Sequence, residues 1–246
     1  MEFLDPFVRM LESTASPAHI RAIEGGASIA PLLEAVEASG YFDALVAEAH
    51  GGAGLSLAEG FHLFHALGQF LAPMQVAETM VTRATGVVSP EVSRRIGAVV
   101  TAAALSGAAD KVLAMTIDYA GQRVQFGKPI ARQQAVQQQL AVMAEQVVMA
   151  RIAAQIGCGH GLTPPLEIAA IAKHGASRAA VQIVAIAHAV HGAIGISEAH
   201  DLHLYTRRLS EWRSAHGSES YWAHQLGQAR LSLTIPTTVD YIRGLF

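Results

Sequence analysis

The chain carries a single cysteine, Cys158, in 246 residues. An internal disulfide is therefore excluded, and a lone thiol fits a reducing compartment such as the cytoplasm. Charge is also scarce. Asp, Glu, Lys and Arg make up 15% of the residues, with a net charge of −3, so there is no positive excess to draw nucleic acid or an anionic membrane surface. Aromatic residues reach only 6%. No alternating β-branched run extends beyond a few positions, which argues against a sheet protein. The first residues, MEFLDPFVRMLE, lack the basic start and apolar core of a secretory signal. Neither a Ser-His-Asp spacing, nor a P-loop, nor a basic aromatic patch is found.

What the chain has in quantity is apolar residues, 51% of the total, enough for a well-buried globular protein. They recur at helical spacing. Val136, Leu140, Met143, Val147, Ala150 and Ala154 follow at steps of four and three, one stripe of a long helix. Ser89-Pro90-Glu91 and Thr163-Pro164-Pro165-Leu166-Glu167 read as helix starts, with a capping hydroxyl, proline in the first turn and an early carboxylate. The pattern predicts helices over 5–12, 27–38 and 57–71, then four long ones over 90–123, 133–157, 165–190 and 217–233. A segment over 197–213 links the last two. The expected fold is all-α: an antiparallel four-helix bundle in residues 86–246, preceded by a small helical subdomain in residues 1–85. The most apolar window, 97–109, lies between Arg94-Arg95 and Asp110-Lys111. As helix it spans about 20 Å against the roughly 30 Å of a bilayer, so a soluble protein without membrane contact is expected.

Among twelve histidines, the pairs His62/His65, His188/His191 and His200/His203 are each spaced to share a helix face. No Glu-x-x-His motif accompanies them, and no metal is expected. A different stretch breaks the helical pattern: DYAGQRVQFGKPIARQQAVQQQLAVMAEQ, residues 118–146. Arg123 offers a planar fork of donors suited to phosphate oxygens. Gln134 opens the next helix, where free N–H groups and the positive dipole end favour an anion. Phe126 supplies a flat apolar face. Taken alone, Gly127-Lys128-Pro129 also reads as a plain turn with Arg123 solvated.

These residues resemble the C-terminal domain of the acyl-CoA dehydrogenases. The family pattern Arg-x-x-Phe-Gly-Lys-Pro-Ile, followed by Gln and Leu-Ala-x-Met, falls on Arg123, Phe126, Gly127, Lys128, Pro129, Ile130, Gln134, Leu140, Ala141 and Met143. AVHGAIGISEAHDLHLYTRRL is similar to the family's Gln-x-x-Gly-Gly-x-Gly segment, and HGGAGLSLAEGFHLFHALG to its N-terminal Gly-Gly-x-Gly element. The resemblance implies FAD as cofactor, desaturation of an acyl-CoA thioester, and a homodimer or homotetramer with the flavin site across its interface. It implies cofactor contacts from Arg123, Gln125, Phe126, Gly127 and Gln134 of one subunit, and from Gly192, Gly195 and Ser218 of another. Trp212, Tyr221 and Trp222 then line an acyl pocket, or else belong to core or interface.

Three departures from the family pattern matter. Between Thr79 and Pro90 there is only a short connector where the family inserts a β-domain. Ala189 and Ala193 replace the Gln and second Gly of the glycine segment. The catalytic base is also displaced. His216 occupies the usual glutamate position, the alternative position on the first long helix is Gly97, and Glu219 is the only nearby carboxylate. A neutral imidazole can accept a proton in principle. These departures leave a second reading: a non-catalytic helical subunit, or degenerate relative, that partners a full-length dehydrogenase.

Overall fold

In the computed structural model, which describes residues 3–245, helical spacing is realised as α1 (Leu4–Thr14), α2 (Pro17–Glu24), α3 (Ala30–Ala38), α4 (Leu57–Gln69), α5 (Gln75–Thr85), α6 (Pro90–Gln122), α7 (Gln134–Cys158), α8 (Leu166–His191), α9 (Leu202–Ser214), α10 (Glu219–Leu231) and α11 (Thr238–Arg243). The only strands among the described residues are β1 (Val124–Gln125) and β2 (Lys128–Pro129), an antiparallel hairpin between α6 and α7. The fold is all-α, as expected. The long helices fall within two residues of their expected bounds. Ser89 caps α6, its hydroxyl accepting from Val92 N–H with Pro90 in the first turn.

Three short helices escape the periodicity. α2 follows a Ser16-Pro17 start of the same kind as Ser89-Pro90, the Ser16 side chain accepting from His19 N–H. α5 buries only Val76, Ala77 and Met80, too short a stripe to stand out. α11 buries Tyr241 alone. The expected helix over 27–38 begins instead at Ala30.

α6 is the axis of the molecule. Every residue from Ala98 to Ala109 is buried, and α4, α7, α8 and α9 all pack around it, while α10 lies along α8. Small side chains make this possible, because neighbouring backbones can approach closely on every side. At the α4–α6 crossing the approach is closest. A Cβ on Gly68 would lie 1.9 Å from the Ala104 carbonyl oxygen, and one on Gly107 would lie 1.8 Å from that of His65. Beside this crossing, Asp110 accepts from Arg151 of α7 at 2.9 Å and pairs with His65 of α4 at 2.8 Å. One continuous core joins Phe7 and Leu11 of α1 to Trp212 and Trp222. Cys158 is buried in it, and burial pushes its thiol up to about 12.

Asp110 and Lys111 do not end a helix. α6 runs on past them, and by length and composition alone α6, α7 and the α8 segment are each long and apolar enough to cross a membrane. The apolar stretch of α6 is 78% buried inside the fold, whereas those of α7 and α8 are 33% and 39% buried. Val142, Val148, Met149 and Ile152 of α7 and Val181 of α8 remain exposed.

The crossing yields a direct test. Gly107→Ala gains helix propensity but forces two backbones apart. It is expected to cost about 2 kcal/mol net and lower Tm by roughly 4–8 °C. Gly121→Ala on the same helix meets nothing within 4 Å and should leave Tm unchanged or slightly raised. Calorimetric melting of the two variants decides it.

Candidate functional site

The sequence-derived site residues gather at two opposite ends of α6. At its C-terminal end, Ala120 packs with Ile130 and Val190, which brings the hairpin, the start of α7 and the end of α8 together. The hairpin turn is Phe126-Gly127, with φ of 51° and 76°. Positive φ at both positions is the two-residue turn that matches strand twist. Glycine adopts it freely, whereas a phenylalanine there is strained. Phe126 is nonetheless 92% exposed. Arg123, Gln125, Gly127 and Gln134 are exposed around it, and Arg123 has no acidic partner among the described residues. α7 begins without a side-chain cap, so its first N–H groups stay available.

The glycine segment lies at this same end. Gly192 terminates α8 with φ 63° and ψ −145°, a conformation reserved for glycine. Gly195 is buried; a Cβ there would lie 3.0 Å from His191 and Leu202. The Tyr119 hydroxyl of α6 donates to the His191 carbonyl at 3.3 Å, and the two rings stack with centroids 4.4 Å apart. Ala189 and Ala193 are exposed. No group of three or more His, Cys, Asp or Glu side chains converges as a metal site among the described residues.

Ser218 is elsewhere. It caps α10, accepting from Tyr221 N–H at 3.3 Å, near the start of α6. Gly97 of this region and Ala120 are roughly 35 Å apart along the helix. Within one chain, Gly192 and Gly195 thus lie at the end that carries Arg123 and Phe126, whereas Ser218 lies with His216 at the other.

At this second end, α5, α6 and the loop before α10 enclose a cleft of about 270 Å³. Met74, Ala77, Val81 and Val100 form apolar walls, and Glu78, Thr82, Ser93 and His216 supply polar groups. The two positions singled out for a base, His216 and Gly97, meet here. A Cβ on Gly97 would lie 2.4 Å from the His216 ring, so the imidazole fills the place of any side chain at 97. His216 is left-handed at φ 55°, its Nδ1 lies 3.0 Å from Thr101 Oγ1, and its carbonyl accepts from Trp222 Nε1 at 3.1 Å. Gly217 follows at φ 102°, where a Cβ would lie 2.6 Å from Tyr221. Trp212 and Trp222 are core residues, and neither they nor Tyr221 lines the cleft.

Glu219 does not reach the cleft. Both its oxygens accept from Arg213 Nε, at 3.0 and 2.9 Å, and Nη2 binds Oε1 as well. That guanidinium holds its carboxyl below the usual range. Lys173 of α8 is the buried anchor of the loop. Its Nζ donates to the carbonyls of Arg213 at 2.8 Å and Gly217 at 3.0 Å, and to Ser177 Oγ at 2.9 Å. Burial pushes it down to about 7, while three acceptors match the three N–H bonds of the charged form. Sequence reasoning missed Glu78, Thr101 and Lys173. None lies in a motif, and only the packing of α5 and α8 brings them to the loop.

The chain is thus an all-α bundle with an exposed hairpin at one end and a small cleft at the other. Comparison with known proteins identifies it. Residues 94–230 match the family described as acyl-CoA dehydrogenase, C-terminal domain, and the chain belongs to the acyl-CoA dehydrogenase family. Among curated relatives, the acyl-CoA dehydrogenase IpdE2 of Mycobacterium tuberculosis is 39% identical over 49% of this chain, but the match spans only 35% of that relative's length. Two solved chains share the fold over nearly the whole molecule. One, titled Tcur3481-Tcur3483 steroid ACAD G363A variant, has TM-score 0.80 and 17% identity over 94% of this chain and 97% of its own. The other, from the ChsE4-ChsE5 complex of Mycobacterium tuberculosis, has TM-score 0.79 and 15% identity over 95% and 97%.

Burial is the first cause holding His216, His191 and His62 below the ordinary imidazole value. As pH falls below about 6.5, an unfolded chain takes up protons that these folded rings resist, so stability present above that pH is lost on acidification. Tm should therefore decline as pH drops from 7 to 5, and His216→Asn should make the decline shallower. Melting curves across that range check it.

Proposed function

We propose that this chain is a subunit of an FAD-dependent acyl-CoA dehydrogenase whose flavin site forms only between chains. The observation that carries the reading is the roughly 35 Å of α6 separating the hairpin end from the His216 cleft. One chain cannot bring Phe126 and Ser218 to the same flavin, so the hairpin end serves a site completed by a neighbour. The residues fit the anionic dinucleotide: Arg123 is a donor fork with no acidic partner among the described residues, the α7 N-terminus has no side-chain cap, and Phe126 offers an exposed ring held in a strained turn. FAD, when bound, supplies the acceptor for the hydride that leaves the acyl β-carbon. Arg123 and the α7 N–H groups would hold the pyrophosphate, Phe126 would pack on the cofactor's apolar surface, and Ser218 would meet the flavin from the other end of a second chain.

Two arrangements of that assembly are chemically distinct. In a homodimer or homotetramer every chain offers both ends. In the second, a full-length dehydrogenase supplies the β-domain and the base, and this chain contributes chiefly its hairpin end. The latter is favoured by Gly97 and His216, which leave both family base positions without a carboxylate, and by Glu219 being tied to Arg213. It is also in keeping with the paired names of the two solved chains that match over nearly their whole length. In either arrangement the exposed apolar faces of α7 and α8 are covered by protein, and the assembly is cytoplasmic.

Equilibrium binding of FAD tests the reading. Arg123→Ala should weaken binding about tenfold or more, the loss of a charge-assisted bidentate contact. Gly86→Ala, far from the hairpin, should not serve as control because its φ is positive; Lys111→Ala on the exposed face of α6 should. Retention of flavin by the chain alone supports the homo-oligomer, and retention only after mixing with a second acyl-CoA dehydrogenase chain supports the hetero-oligomer. Equal FAD affinity in wild type and Arg123→Ala would sink the proposal.

A further inference from the structure

Neither family position for a base carries a carboxylate in this chain, yet the cleft contains one. Glu78 of α5 brings Oε1 to 3.8 Å from Nε2 of His216, and both line the same cavity as Gly97. On the other side of the ring, Nδ1 lies 3.0 Å from Thr101 Oγ1. The direction of that contact depends on the tautomer; in the tautomer whose Nδ1–H donates to the hydroxyl, the Nε2 lone pair faces the cleft and Glu78. The backbone is held as firmly as the ring. The Trp222 indole donates to the His216 carbonyl, and Lys173 binds the carbonyls of Arg213 and Gly217 on either side. A left-handed non-glycine residue costs about 1–3 kcal/mol and persists only where its surroundings over-determine it. Here they aim one imidazole nitrogen into a cavity beside a carboxylate.

We propose that His216 Nε2 is the proton acceptor of this cleft, that Glu78 is its counter-ion, and that Thr101 orients the ring. The inference rests on the first arrangement above, in which every chain offers both of its ends, and adds the missing base to it. The C–H bond at the α-carbon of an acyl thioester breaks and an N–H bond forms at Nε2. The hydride leaving the β-carbon carries its electron pair to the flavin, the oxidant of that reading. The imidazolium formed is neutralised by Glu78, which acts as a positioning residue.

The surroundings suit a base. Burial keeps the resting ring neutral, Lys173 of α8 and Arg94 of α6 push the same way, and Glu78 of α5 opposes them. A ring that starts neutral and gains a carboxylate partner once protonated has the charge sequence that proton abstraction requires.

The test begins without cofactor. In proton NMR of the full chain, the imidazole resonance missing from His216→Asn belongs to His216; asparagine is chosen because it tolerates the left-handed backbone. Glu78→Gln should lower the pKa of that resonance by about half a unit to one unit, with unchanged melting because Glu78 is half exposed. An unmoved resonance overturns the pairing. The second arm uses FAD-loaded assembly and butyryl-CoA as probe in D2O, reading deuterium at the α-carbon by mass spectrometry. Exchange should fall about tenfold in Glu78→Gln and about a hundredfold or more in His216→Asn. Unchanged exchange in His216→Asn with butyryl-CoA still bound overturns the base while leaving the acyl-CoA reading intact. Loaded protein that binds no butyryl-CoA overturns the acyl-CoA reading, and the base role falls with it whatever the resonance shows.

Discussion

Everything in this molecule is referred to a single buried rod. A helix enclosed on all sides must be built from residues that let other backbones come near, and from Ala98 to Ala109 every residue of α6 except Leu105 is alanine, valine, threonine, serine or glycine. Close crossing at Gly68 and Gly107 leaves little slack between the bundle and the N-terminal helices. α5 supplies one wall of the cleft. The same rod carries Gly97 and Thr101 at one end and leads into the hairpin at the other, so the spacing between the two half-sites is as rigid as a helix.

The long helices were legible because their apolar stripes are long, and the hairpin because its motif is local. Motif counting reaches His216 and Gly97 as two alternative positions for a base; that they touch is seen only in the fold. Which end of the bundle carries Gly192 follows from the topology. In an up-down-up succession of α6, α7 and α8, the ends of the first and third helices lie together, so Gly192 falls beside Arg123. α9 then returns the chain to the start of α6 and delivers Ser218 there. Glu78 was invisible for a different reason. Its helix buries only three residues, and a single carboxylate far from its histidine in sequence carries no pattern. Asp110, the boundary of the most apolar window, lies inside α6 as the expected helix over 90–123 has it, and is tied to His65 and Arg151 within the fold.

Backbone strain follows the same geography. Among the described residues, three other than glycine adopt positive φ: Leu71, Phe126 and His216. Leu71 is buried just beyond the end of α4 and packs into the core. The other two stand at the two half-sites, one presenting a bare ring to solvent and the other a ring to an enclosed cleft. Strain of this kind is retained where the surrounding structure fixes it, and here the fixing groups differ: a hairpin register for Phe126, and a lysine, a tryptophan and a threonine for His216.

The contact between Gly97 and His216 also constrains how such a chain can change over evolutionary time. With 2.4 Å between the imidazole and any new Cβ, a carboxylate cannot be introduced at 97 while the ring stays in place. Shrinking residue 216 first would empty the cleft before anything refills it. A side chain at 97 and the imidazole of 216 therefore compete for one space, and substitutions at the two positions are coupled. A lineage that has settled on histidine and glycine is held there by shape.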